Sequence, residues 1–194
     1  MTTNLFQKIP SFKSLLPLVV ILGLALILTV VHIFGSFKGM QHREAMEAAS
    51  LGRELIRGNG LENKVIYPVA LYNKNSEGES IPITNHQNTY TAPGAAIINA
   101  GVLSLIDGGD FAKHQVKPGN HVYTPDRALA LASVAFMFVG IFFSYKLVKT
   151  IFDAKLANTL AFILLMSGSM WQYAQSCLPQ MFLFMLFSMI IWLL

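Results

Sequence analysis

The run "SLLPLVVILGLALILTVVHIFGSF", residues 14–37, contains no Asp, Glu, Lys or Arg, and it decides the fold. A helix that rises ~1.5 Å per residue needs about 20 apolar residues to cross a hydrocarbon core of roughly 30 Å. The run is long enough, so it predicts a transmembrane helix. No convincing cleavage site follows it, which favours a retained membrane anchor over a signal peptide. The whole chain, 54% hydrophobic and 12% charged, has the composition of a membrane protein.

Three more uncharged runs occupy residues 128–145, 156–171 and 181–194. The predicted fold is therefore an all-α multi-pass membrane protein with about four transmembrane helices. The last run would reach only about 21 Å, which is less than a full span. We expect it to be a helix truncated by the end of the chain.

The distribution of lysines predicts the orientation in the membrane. Lys8 and Lys13 precede the first span, and Lys146, Lys149 and Lys155 lie near the turn between the second and third. Because short basic segments stay on the cytoplasmic side, both regions should be cytoplasmic. We expect a cytoplasmic N-terminus and first span (1–37), an exoplasmic loop with amphipathic helices (38–126) and three further spans (127–194). A bacterial inner membrane, with the loop in the periplasm, is the predicted location.

The loop opens with "REAMEAASLGRELIRGNG", residues 43–60, which has the period of an amphipathic helix. Small and apolar side chains share one face, while most charged ones, including Arg53 and Glu54, project from the other. Glu44 is the exception, because it projects between Leu51 and Leu55. A carboxylate there needs a partner or a water-filled cleft. The simpler alternative is an interfacial helix in which the helix dipole favours an acid in the first turn.

The rest of the loop contains a second predicted helix and two candidate binding residues. The 13-residue apolar run 94–106 is too short to span and predicts an interfacial or re-entrant helix. The segment "NKVIYPVALYN", residues 63–73, favours an extended strand. His86 and Tyr90 precede the second helix and are candidates to line a cleft, although loop histidines are often simply solvated.

Other classes of site find little support in the sequence. His114 and His121 lack metal-ligand spacing, and the single Cys177 excludes an internal disulfide. We therefore predict no metal site and no cofactor. The net charge of +4 includes no block of like charges, so a nucleic-acid partner is not expected. A membrane lipid is the partner that the composition indicates.

With these features in place, the chain resembles the N-terminal part of the C-type glycosyltransferase superfamily, which uses polyprenyl-phosphate sugars. It looks similar to protein mannosyltransferases and to aminoarabinose transferases acting on lipid A. The resemblance rests on the small residues, arginine and glycines of "ASLGRELIRGNGL", residues 49–61, at the family's spacing. The segment "HQNTYTAPGAAIINAGVLSLI", residues 86–106, is similar to the family's next surface helix.

The resemblance implies a function and a set of site residues. It implies transfer of sugar from a polyprenyl-phosphate donor, with Glu44 at the position of the family's catalytic acid, where Asp is usual. Arg127, at the start of the second span, is our candidate to bind the phosphate, with a role as an interfacial anchor as the alternative. His86 and Tyr90 complete the predicted substrate site.

Two alternatives remain open at this stage. The chain could be a non-catalytic subunit that packs against a larger membrane complex through its small-residue faces. A third hypothesis is a pigment or haem ligand at His32, near the outer end of the first span.

Overall fold

The computed structural model describes residues 12–62, 92–106 and 122–194, with side chains from residue 19 onward. These residues are mostly helical and include no β-strand. The predicted strand at 63–73 lies outside the described residues. The helices are α1 (Phe12–Thr29), a π-helix (Val30–Ser36), α2 (Arg43–Ile56), α3 (Pro93–Ser104), α4 (Thr124–Ile151), α5 (Ala154–Met166), α6 (Gly168–Gln175) and α7 (Gln180–Leu193).

Two of the described helical segments are long and apolar enough to cross a membrane, namely Val19–Ser36 and Thr124–Ile151. A third span exists if α6 and α7, whose axes bend by 118°, form one broken span. The sequence predicted four spans, whereas the described residues are mostly helical and include two to three segments apolar enough to span a membrane.

The predicted third span, residues 156–171, is wrong as a single helix. Helix α5 ends at Met166, Ser167 has an extended conformation (φ −69°, ψ 112°), and α6 begins at Gly168. A Ser–Gly pair is a common position for a sharp helix break. The 13 residues of α5 rise only about 20 Å, which is short of a full span.

Helix α4 lies at the centre of the described bundle and packs against α3, α5, α6 and α7. Its buried side chains include Leu129, Val134 and Met137, and the buried Trp171 of α6 joins the same core. Close packing extends to Gly140, where a Cβ atom would lie 2.5 Å from the ring of Phe184. Helix α4 therefore connects the other helices of the bundle to α3 of the loop.

Both predicted loop helices are present, and they pack against each other. An added Cβ at Gly52 of α2 would lie 3.0–3.2 Å from atoms of Ala96, Asn99 and Ala100 in α3. Only glycine lets the two helices approach so closely at this position. Gly58 and Gly60 adopt φ values of +82° and +74°, as expected for residues that end a helix.

Candidate functional site

The burial of the acidic residues of α2 differs from the prediction, and Glu44 is the first example. The periodicity placed Glu44 on the packed face, but its side chain is exposed. The neighbouring Ala45 is fully buried, and Ala48 is almost so. Helical periodicity fixes only the direction of a side chain, and burial also requires a neighbouring element that covers it. No described element covers the first turn at Glu44, so this carboxylate is exposed.

Glu54, which the sequence placed on the solvent face, is buried with only 2% of its surface exposed. Its Oε1 accepts a hydrogen bond from Nη1 of Arg57 at 2.6 Å, and its Oε2 accepts one from Nδ2 of Asn59 at 2.7 Å. The turn after α2 therefore folds back over the carboxylate. Charge-assisted hydrogen bonds of this kind compensate the cost of burying a charge. Glu54 stabilises the end of the helix.

Glu47 lies between these two extremes. The sequence indicated a solvated residue, and the structure shows it half-buried. The three acids of α2 thus change from exposed Glu44, through half-buried Glu47, to buried Glu54. Glu44 and Glu47 are the two that retain contact with solvent, as a general base that meets a substrate must.

An ion pair joins α2 to the membrane-spanning bundle. Nη2 of Arg53 lies 2.8 Å from Oδ1 of Asp126 in the first turn of α4, and the two side chains are 24% and 18% exposed. The Arg53 guanidinium also lies 5.3 Å from the ring centroid of Tyr123. The sequence assigned Arg53 to the solvent face, because the partner on α4 is distant along the chain. This ion pair fixes α2 beside the start of α4.

Arg127 follows Asp126 and is half-buried at the start of α4. Its guanidinium carbon lies 5.4 Å from the ring centroid of Phe34, in the π-helix. Within the described part of the chain, Nε of Arg127 is buried and has no hydrogen-bond partner. An aromatic face compensates part of the cost of holding a cation at a membrane boundary. The predicted phosphate-binding residue therefore lies beside the C-terminal end of the first span.

His32 is held by two residues of α6. Its ring stacks on Trp171, with centroids 4.6 Å apart and an interplanar angle of 9°. Nε2 of Gln175 lies 3.1 Å from Nδ1 of His32 and donates to its backbone carbonyl at 2.9 Å. His32 lies within the π-helix, so both contacts are made to the last turns of the first span. These contacts give His32 a structural role that joins the first span to α6.

A polar cavity of about 270 Å³ opens next to this contact. Amide, hydroxyl, imidazole and ammonium groups share its wall. The cavity lies between the end of the π-helix and the start of α2, since His42 in its wall is the N-cap of that helix. The lining residues are Ser36, Phe37, Lys38, Gly39, Gln41, His42, Gln172, Gln175 and Ser176.

The sequence prediction did not include this cavity. In the sequence, the feature that could have indicated the cavity is the pair Gln172 and Gln175. These are two amides at the helical i, i+3 spacing in a largely apolar segment. Polar side chains in a membrane segment usually mark a contact or a pathway. Of the predicted site residues, Glu44 and Arg127 do not line the cavity, while His86 and Tyr90 lie outside the described residues.

Among the described residues, no three His, Cys, Asp or Glu side chains lie close enough together to hold a metal ion. Comparison of the chain with models of protein families, with curated proteins and with solved structures finds no match.

Proposed function

We propose that the chain is the N-terminal part of a membrane glycosyltransferase that takes sugar from a polyprenyl-phosphate donor. The observation that carries the proposal is the polar cavity at the outer end of the first span. It has the groups that bind a phosphorylated sugar: side-chain amides for hydroxyls, and the ammonium of Lys38 for phosphate.

The surroundings of the cavity supply the other elements of such a site. The cavity wall ends at His42, and Glu44 follows two residues later in the first turn of α2. Its exposure leaves the carboxylate accessible to an acceptor. Arg127, beside Phe34, adds a second cation at the same end of the first span.

The proposed chemistry uses one carboxylate and at least one cation. The carboxylate of Glu44 takes the proton of an acceptor hydroxyl or amine, and the acceptor atom attacks the anomeric carbon of the sugar. The bond between that carbon and the phosphate oxygen breaks, and the electron pair leaves with the polyprenyl phosphate. Lys38 and Arg127 stabilise the charge that develops on the phosphate.

A turnover assay tests this proposal. The full-length protein is reconstituted in liposomes with a polyprenyl monophosphate carrying a radiolabelled sugar and with a membrane-lipid extract that supplies hydroxyl- and amine-bearing acceptors. Loss of label from the donor lipid is then measured. We expect turnover above that of protein-free liposomes, and at least a hundredfold loss in Glu44→Gln, the usual contribution of a general base. Glu47→Gln is the matched control and should retain turnover.

The outcomes of this assay are distinct. Wild-type turnover equal to that of protein-free liposomes contradicts the enzymatic proposal. If Glu47→Gln loses activity and Glu44→Gln does not, the acid is Glu47 and the assignment of Glu44 is wrong.

A non-catalytic structural subunit is the second candidate, and one observation favours it. Only 11% of the window Val19–Ser36 is buried within the described structure, against 39% of Thr124–Ile151. The first span thus leaves most of its apolar surface for lipid or for helices of another protein. Isolation in a mild detergent tests this candidate, since a subunit should copurify with a larger membrane protein at fixed stoichiometry.

A further inference from the structure

An apolar groove runs along the first span, α4 and α5, away from the polar cavity. Its volume is about 650 Å³. Val30, Phe138 and Leu165 line one end, and Lys149, Tyr145 and Asn158 line the other. The walls between them are aliphatic and aromatic apart from Thr29, whose hydroxyl donates to the backbone oxygen of Ala25. The other residues are Ile21, Leu22, Ala25, Leu26, Ile141, Phe142 and Ala161.

The length of the groove matches one leaflet of a bilayer. Between Phe138 and Lys149, α4 rises about 16 Å at 1.5 Å per residue, close to half of a 30 Å hydrocarbon core. The apolar end therefore reaches the middle of the membrane when the Lys149 end lies at its surface. Arg127 is about 33 Å from Lys149 along the same helix, so the groove opens at the opposite surface from the proposed sugar site.

The groove is large enough for a lipid acyl chain. At roughly 30 Å³ per methylene-sized group, similar to the share of one water molecule, it has room for about twenty such groups.

The polar side chains at one end of the groove indicate which lipid headgroup would bind there. Lys149 is exposed, and its Nζ lies 5.9 Å from the ring centroid of Tyr145. The described residues that line the groove include no Asp or Glu, so an anion at this end meets a cation and no opposing acid. The side chains of Tyr145 and Asn158 add hydrogen-bond donors beside it.

From these observations we infer that the groove binds one anionic phospholipid, with an acyl chain between the first span and α4 and its phosphate at Lys149. The phosphate accepts hydrogen bonds from the lysine ammonium and from the neighbouring tyrosine and asparagine. The lipid covers the groove face of the first span, and this role is independent of the proposed sugar transfer.

Native mass spectrometry of the purified full chain tests the inference. The protein, in a mild detergent, is titrated with phosphatidylglycerol or with zwitterionic phosphatidylcholine, and the dissociation constant of the first bound lipid is measured. We expect tighter binding of phosphatidylglycerol. Lys149→Gln should weaken that binding about tenfold, equivalent to ~1.4 kcal/mol, and leave phosphatidylcholine unchanged.

A second variant tests the apolar part of the groove. Leu26 lines the groove and is 67% exposed, so Leu26→Trp fills space without disturbing the core. It should weaken binding of both lipids. The controls are Lys146→Gln and Ile27→Trp, at neighbouring exposed positions that do not line the groove, and both should bind as wild type.

Three results would overturn the inference. The wild type could bind both lipids equally, Lys149→Gln could have no more effect than Lys146→Gln, or Leu26→Trp could bind phosphatidylglycerol as tightly as Ile27→Trp does.

Discussion

Replacing Gly52 by alanine tests whether the two loop helices pack as closely as the structure indicates. The new methyl group would lie 3.0 Å from the backbone nitrogen of Ala100 and 3.1 Å from the backbone oxygen of Ala96. Backbone atoms of a helix cannot rotate away, so α2 and α3 must separate. Overpacking of this kind costs about 1–3 kcal/mol. Alanine also favours the helix by about 1 kcal/mol, so the expected net loss is ~0–2 kcal/mol.

Gly101→Ala, on α3, is the matched control. A Cβ there meets nothing within 4 Å, so this variant should gain the helix preference without a clash. The two variants should therefore differ by about 1–3 kcal/mol, which is roughly a five- to 150-fold difference in the opening equilibrium of the helix pair. Hydrogen exchange of the amides in α2 and α3 measures that equilibrium directly. Equal protection in the two variants would refute the close packing at Gly52.

The remaining predictions concern polar contacts and are measured by thermal unfolding in detergent. Glu54→Gln should cost about 3 kcal/mol, because a buried carboxylate that accepts two hydrogen bonds is lost, whereas the exposed Glu44→Gln should stay within ~0.5 kcal/mol of wild type. Equal effects of the two would contradict the burial of Glu54. Arg53→Gln should cost about 1.5–3 kcal/mol through loss of its ion pair to α4, and no loss would contradict that pair. His32→Phe keeps the stacked ring but loses the Nδ1 hydrogen bond, for an expected cost of ~1 kcal/mol, and a cost near zero would contradict the contact.

The sequence predicted those elements that depend on local patterns. The bounds of α2 follow from periodicity and from the glycines after Arg57, while α3 and the first span follow from uncharged apolar runs. The break at Ser167 was not predicted, because the hydropathy of the run around it is continuous. Only the Ser–Gly pair within that run marks the position.

The environments of two side chains of α2 depend on residues outside that helix, and the periodicity therefore misassigned them. Glu54 is buried because the turn containing Arg57 and Asn59 folds over it, while Arg53 finds its partner 73 residues away. A helical-wheel projection of α2 shows neither the turn that follows the helix nor a partner on another helix. The polar cavity was not predicted for the same reason, because it forms between the end of the first span and Gln172 and Gln175 of α6, which are distant along the chain.

The most direct test of the proposed function is photo-crosslinking from within the polar cavity. A benzophenone amino acid replaces Gln172, which lines the cavity, and in a control it replaces Leu131, an exposed α4 residue outside it. Each protein is irradiated with a radiolabelled polyprenyl-phosphate sugar. We predict labelling at position 172 that excess unlabelled lipid suppresses, and only background labelling at position 131. Labelling at position 172 no greater than at position 131 would contradict the proposal that the cavity holds the phosphorylated sugar.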